Sequence, residues 1–304
     1  MKWIYLSPHL DDAALSCGGL IWAQTQRGDH VEIWTICAGD PPTGKLSPFA
    51  EELHQRWQSG IEAAARRREE DLNSCQAISA TPRHFPLPDC IYRRAGEDYW
   101  QAGESRQQNA ASPGAFLYPD YQAIFGALHP LESDLVQQLA RRLDESLPLE
   151  AAVVCPLTVG GHVDHRLTRL AAEQVRRDLW YYADYPYADD LVQQPEQLER
   201  LAPANAIRRT FRLNQEALQA WGKAVAAHRS QLSTFWPDLK AMQAALQGYY
   251  TRMGGAVLWS PAVYSGILAC PLKSCRKLLM KNGRTCGKNL GSTQSLTRFC
   301  HVKV

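Results

Sequence analysis

The first forty residues change rhythm twice. Trp3-Ile4-Tyr5-Leu6 and Val31 to Cys37 are short apolar-rich runs, the pattern of buried strands. Between them, Asp12 to Gln26 places Ala14, Leu15, Leu20, Ile21 and Ala23 along a helix. Strand, helix and strand in so short a span predict a βαβ unit, hence a parallel sheet with a right-handed crossover. The same reading predicts a long charged helix over 50–78, with Glu62 and Arg66 paired one turn apart, then an extended piece over 83–89. A helix over 131–147, strands over 151–155 and 179–183, and a helix over 164–178 continue the alternation. An edge strand over 207–213 and helical sequence over 214–247, broken at Pro237, complete it. The alternation predicts an α/β fold with a doubly wound, mainly parallel sheet and helices on both faces.

Residues 93–128 lack apolar periodicity, which predicts an insertion or lid on a domain spanning 1–272. Residues 273–304 form a basic tail, with eight Lys or Arg and no acidic residue. The rest of the chain holds 25 basic against 31 acidic residues, so the net charge of +2 conceals two unlike parts. The tail reads as a solvated appendage, and no nucleic-acid partner is expected. With 45% hydrophobic and 21% charged residues, the 304-residue chain has the composition of a globular protein with a sizeable core. No apolar run approaches the ~18 residues of a membrane span, and the N-terminus reads straight into a strand, so a cytoplasmic location is expected. Of nine cysteines, Cys17, Cys37, Cys75, Cys90 and Cys155 fall in apolar segments as buried free thiols. There is no C-x-x-C pair.

Two polar clusters carry the chemistry. Ser7-Pro8-His9-Leu10-Asp11-Asp12 follows the first strand, and Gly160-Gly161-His162-Val163-Asp164-His165 follows the strand at 151–155. In open parallel sheets, ligands bind beyond the carboxyl ends of the strands, so the fold should bring both clusters to one rim. His9 and Asp12 can point at one ion across the strand-to-helix turn, and His165 can close the set from the second loop. Two imidazoles and one carboxylate leave zinc an open position for water, as catalysis requires; the same ligands accept ferrous iron. Asp11 is placed to act as general base. His162 is placed to stabilise an oxyanion or protonate a leaving amine. Asp164 is expected to orient an imidazole. Taken singly, Asp11 or Asp12 is equally a helix N-cap, and Gly18-Gly19 reads as a helix–strand packing contact more than as a phosphate loop.

The first cluster, with Gly18-Gly19 behind it, resembles the first motif of the PIG-L/LmbE-like family of zinc-dependent N-acetylglucosaminyl deacetylases, and His162-Val163-Asp164-His165 resembles the second. The resemblance covers residues 1 to about 270 and implies a Rossmann-like fold. It also implies His9, Asp12 and His165 as zinc ligands, Asp11 as base and His162 as the electrostatic or acid partner. The implied reaction is removal of acetyl from an N-acetylglucosamine-type sugar or glycoconjugate, a small-molecule substrate. Two further likenesses, Arg67-x-x-Glu70 and Leu87-Pro88-Asp89, imply Arg67 and Asp89 as substrate-binding residues. Family members commonly carry Pro and Glu where this chain has Leu10 and Ala13, which leaves the substrate class open. Alternatives are an amidase on another acylated amine or a sugar-thiol conjugate, a carbohydrate-binding relic of the fold, and an iron oxygenase using His9, Asp11 and His165. Tyr185 and Tyr187 are expected on the same rim, as pocket wall or as aromatic packing.

Overall fold

The computed structural model describes residues 1–100, 114–176 and 178–262. The tail over 273–304 and the middle of the expected lid lie outside these residues. In chain order the elements are β1 (Lys2–Ser7), α1 (Asp12–Gln26), β2 (His30–Thr35), α2 (Pro48–Arg56), α3 (Ala63–Ala77), β3 (Thr81–His84), α4 (Ser133–Ser146) and β4 (Ala152–Pro156). They continue as α5 (Val163–Val175), β5 (Trp180–Tyr182), α6 (Pro195–Leu201), β6 (Ile207–Phe211), α7 (Gln215–Ala227), α8 (Arg229–Phe235), α9 (Leu239–Met253) and β7 (Ala256–Ser260).

The seven strands of the described residues form one sheet in the order β3-β2-β1-β4-β5-β7-β6. The first five run parallel, whereas β7 lies antiparallel to both β5 and β6. Side chains alternate across it as the strand period requires. Ile4, Leu6, Trp34, Val153 and Cys155 face a core shared with α4 and α5. Trp3, Tyr5, Val31, Ile33 and Val154 face the opposite core, which includes Cys17 and Leu20 of α1, Cys75 of α3 and Ala224 of α7. Helices therefore cover both faces, and the sheet is of the predicted doubly wound kind. No helix of the described residues is long and apolar enough to cross a membrane.

Three expectations need correction. The helix over 50–78 is two helices, because the chain turns at Trp57–Glu62, where Gln58 has a left-handed φ of 51°. The helical stretch over 214–247 is three helices: besides Pro237, it breaks at His228, whose ψ of 58° is not helical. Strand β7 adds to the predicted set, since a five-residue run beyond a long helix carries no local mark of the antiparallel pairing that makes it a strand. Gly18 and Gly19 do serve packing, but of helix on helix. A Cβ on Gly18 would stand 2.7 Å from the Trp221 ring, and one on Gly19 would stand 2.7 Å from Leu213. Their absence lets α7 lie against α1, where the Trp221 indole N–H donates to the Ala14 carbonyl at 2.9 Å.

The order of the strands fixes where a ligand can bind. Strand β1 has β2 on one side and β4 on the other, and the chain leaves β1 and β4 toward opposite faces of the sheet. That topological switch opens a crevice at the carboxyl ends of these two strands. Residues 8–12 and 157–165 line it.

Candidate metal centre and active site

The loop after β1 is arranged so that its two aspartates need not cap the helix. Ser7 satisfies the helix start instead, since its Oγ accepts from the Ala13 backbone N–H at 3.0 Å and donates to the His9 carbonyl at 2.6 Å. Asp11, at the N-cap position, makes no capping hydrogen bond with its side chain. Asp12 folds back, its Oδ2 accepting the His9 backbone N–H at 2.8 Å. Neither carboxylate is thus spent on capping α1.

His9, Asp12 and His165 converge. Asp12 Oδ2 lies 3.1 Å from His9 Nδ1 and 3.3 Å from His165 Nε2. A tetrahedral ion with bonds of 2.0–2.1 Å has ligand atoms roughly 3.3–3.4 Å apart, so Asp12 Oδ2 is spaced from each imidazole in turn as two ligands of one cation would be. The remaining nitrogen of each imidazole is backed by a buried carboxylate. His9 Nε2 meets Asp164 Oδ2 at 3.0 Å, and His165 Nδ1 meets Asp184 Oδ1 at 2.6 Å. Carboxylate behind imidazole is the arrangement that orients histidine ligands. Donor atoms of His9, His162 and His165 lie within 4.8 Å of one another, as do those of Cys90, His162 and Asp164 and those of His9, Asp89 and Asp164. In the last two groups Asp164 is already engaged by Arg93, His9 and the Cys90 backbone N–H.

Charge is distributed unevenly over the site. Burial works against a charged His9, but Asp89, Asp12 and Asp164 outweigh it and hold the imidazole well above its ordinary range. Burial likewise opposes a charged His165, yet Asp12 and Asp184 push it up to about 10. Asp12 is held well below the usual carboxylate range: burial would raise it, and the two histidines overcome that. Asp11 goes the other way. Burial and the neighbouring Asp12 raise it, only partly opposed by Arg67. Two adjacent carboxylates are thereby driven apart, the pattern by which a site separates a ligand from a base.

His162 sits between the two loops. Its ring stands edge-on to His9 at 4.8 Å and to Phe125 at 5.5 Å. Its Nδ1 accepts the Asp164 backbone N–H at 3.2 Å, which puts the proton of the neutral ring on Nε2. Burial and the charges on His9 and His165 hold it well below the histidine range, so it is neutral at rest and a hydrogen-bond donor at Nε2. A resting positive charge, one of the roles open to it from sequence, is not what the surroundings favour.

Arg67 and Asp89 do reach the site. Arg66 and Arg68 lie on the outer part of α3, while Arg67 turns inward and is 9% exposed. Its guanidinium stands 3.7 Å from Asp11 and 3.7 Å from Asp89, over the Trp57 ring at 5.0 Å, and its Nε has no hydrogen-bond partner. Asp89 also lies 3.8 Å from His9 Nε2. Glu70, one turn beyond Arg67, does not enter the site. It accepts from the Ser230 backbone N–H at 2.9 Å and hydroxyl at 2.6 Å, tying α8 to α3. Tyr187 packs edge-on to His165 at 6.1 Å and to Phe125 at 6.1 Å, whereas Tyr185 is buried against Tyr249 and Trp236. Only Tyr187 of the pair borders the crevice.

Sequence reasoning missed four residues. Asp184 follows β5, and nothing in Ala183-Asp184-Tyr185 marks it as the partner of an imidazole. Arg93 and Glu132 frame the stretch expected to be an insertion. His228 is 2% exposed, and neither ring nitrogen has a hydrogen-bond partner. The described ends of 93–128 are not detached from the body. Leu117, Tyr118 and Ile124 join Phe49, Leu53, Tyr92 and Val163 in a third apolar cluster, and the Val163 N–H bonds to the Ile124 carbonyl at 2.9 Å.

This architecture has counterparts. A 2'-N-acetylparomamine deacetylase of Streptomyces fradiae is 26% identical over 191 residues, covering 62% of this chain and 58% of that protein. The enzyme of the same name from Niallia circulans is 25% identical over 202 residues, covering 61% and 67%. The chain thus spans little more than half the length of the first. The structure of the zinc-inhibited form of teicoplanin deacetylase Orf2 superposes with a TM-score of 0.64 at 25% identity, over 85% of this chain and 97% of that one. The family model described as GlcNAc-PI de-N-acetylase matches residues 4–176, from the first strand to the end of α5 and across both polar clusters. The chain belongs to the PIG-L family.

Proposed function

We propose that the chain is a metal-dependent deacetylase that hydrolyses the acetamide of an N-acetylated amino sugar or its glycoconjugate. The observation that carries this reading is Asp12 lying between His9 Nδ1 and His165 Nε2, each imidazole backed by its own carboxylate. Family membership and the acetylated-sugar and glycopeptide deacetylases among the similar proteins support the substrate class.

His9, Asp12 and His165 would hold the ion. A bound divalent cation supplies a water of lowered pKa and polarises the acyl oxygen. Asp11 accepts a proton from the attacking water, and Arg67 keeps its carboxylate aimed into the crevice. His162 Nε2–H donates to the acyl oxygen as that oxygen gains charge, an interaction that strengthens toward the transition state. When the C–N bond breaks, Asp11 returns the proton to the departing nitrogen, leaving acetate and a free amine. Arg67 and Asp89, polar and incompletely hydrogen-bonded, are placed to receive sugar hydroxyls. The basic tail has no part in this reading.

The direct test is an amine-release screen on N-acetylglucosamine, N-acetylated aminoglycoside fragments and acetylated glycopeptides, with zinc-loaded and chelated protein. Amine release only from the loaded protein is expected; equal rates with and without metal would refute the reading. Metal uptake gives a second check. Because His9 and His165 are both held protonated near neutral pH, an ion that takes one nitrogen of each must displace those protons. Titration calorimetry at pH 7.5 in buffers of different ionisation enthalpy should report about two protons released per ion, with affinity rising with pH. Uptake without proton release would mean that other donors hold the metal.

A further inference from the structure

Behind His9, Asp164 is joined to further buried polar groups that the hydrolytic reading does not use. Asp164 Oδ2 holds His9 Nε2 at 3.0 Å, and its Oδ1 holds Arg93 Nη1 at 2.5 Å. Arg93 in turn donates through Nε to Glu132 Oε1 at 2.6 Å and through Nη2 to Oε2 at 3.3 Å. Tyr118 closes the chain: its hydroxyl donates to Glu132 Oε2 at 2.5 Å and accepts the His129 backbone N–H at 2.8 Å. Asp164 and Arg93 are 0% exposed, Tyr118 2% and Glu132 3%. Side chains from well-separated stretches of the chain are thus linked with almost no solvent contact.

A fully buried guanidinium between two carboxylates is costly to desolvate, and apolar residues of similar volume are often no less stable there. Fold stability is therefore a poor explanation for it. What the arrangement does provide is direction. Held in a fork by Glu132, Arg93 donates through Nη1 to one oxygen of Asp164, so the other oxygen is left for His9 Nε2 and the Cys90 backbone N–H. The hydrogen bond to His9 fixes the ring so that Nδ1 faces Asp12.

We propose that Arg93, clamped by Glu132 and Tyr118, is a positioning residue that locks Asp164 onto His9 and so sets how tightly the site holds its metal. The inference rests on the metal reading above, yet concerns affinity for the ion and not the hydrolytic step. Outer partners of histidine ligands are worth roughly 10–100-fold in metal affinity, which is the effect expected here.

The test uses Zn2+ alone, titrated into the metal-free protein against a chelator of known affinity. Removing Arg93 by itself leaves two buried carboxylates uncompensated and endangers the fold, so R93M is paired with E132Q. R93M/E132Q is expected to keep its thermal transition and circular dichroism while binding Zn2+ about 10–100-fold more weakly. R93K, which keeps the charge but not the fork, should fall between it and wild type. The decisive arm is D164N with and without R93M/E132Q. If Arg93 acts through Asp164, the two losses do not add, and the triple variant binds Zn2+ like D164N. Additive losses, or a folded R93M/E132Q with wild-type affinity, overturn the proposal. Wild-type protein that takes up no Zn2+ would instead sink the metal reading, and this inference with it.

Discussion

His165→Ala is expected to abolish both metal retention and turnover. The imidazole is 1% exposed and fixed at both nitrogens, by Asp184 Oδ1 at 2.6 Å and beside Asp12 Oδ2 at 3.3 Å. Nothing else in the loop after β4 replaces it without rearrangement, because His162 Nδ1 is occupied by the Asp164 backbone N–H. The variant also strands Asp184, a buried carboxylate whose imidazole partner has gone. Metal analysis after dialysis should show close to one equivalent in wild type and little in the variant, with amine release at background. A second variant separates ligation from packing. His165→Gln keeps a polar group in the cavity but ligates poorly, so it should fold well and still lose the metal. A His165→Ala protein with its metal intact would remove His165 from the coordination sphere.

Asp11→Asn should do the reverse, keeping the ion while losing the chemistry. Asp11 accepts no capping bond, and no nitrogen of the two candidate ligand histidines is paired with it; its charged neighbour is Arg67 at 3.7 Å. Its carboxyl is raised by burial and by Asp12, which makes it a stronger proton acceptor than an exposed aspartate. An amide of the same shape cannot take the proton, and general-base catalysis is worth about 10²–10⁴ in rate. We therefore expect kcat to fall by about 100-fold or more at unchanged metal content, with KM little altered. Since the base must be ionised to act, wild-type activity should fall as pH drops through its raised pKa, and that limb should vanish in the variant. Simultaneous loss of metal and activity would exchange the roles given to Asp11 and Asp12.

The residues that could be named from sequence are those whose neighbours in the chain are also their neighbours in space. His9, Asp11 and Asp12 share one strand-to-helix turn, and His162, Asp164 and His165 share another. Apolar runs of the right length placed each turn at a strand end, and the sheet order placed both ends at one crevice. Arg67 is singled out in the sequence by the family resemblance alone. Three consecutive arginines look alike in sequence, and only the packing of α3 beside the crevice decides that the middle one turns inward. The helix breaks at Gln58 and His228 were hidden for a similar reason, because helical propensity on either side says little about a turn imposed by tertiary packing.

What the sequence by itself determined is the alternation of strands and helices, the two polar turns and the residue types that suit a cation and a base. Short-range periodicity and spacing carry that information, and they survive without knowledge of the rest of the chain. What only the tertiary structure decided is the support of those residues. Asp184 backs His165 from 19 positions away, and Arg93 reaches Asp164 across 71. Ser7, by capping α1, frees both aspartates for the site. Such pairings have no local signature, because each exists only where distant segments are brought together in a dry interior that leaves a buried charge no partner but another.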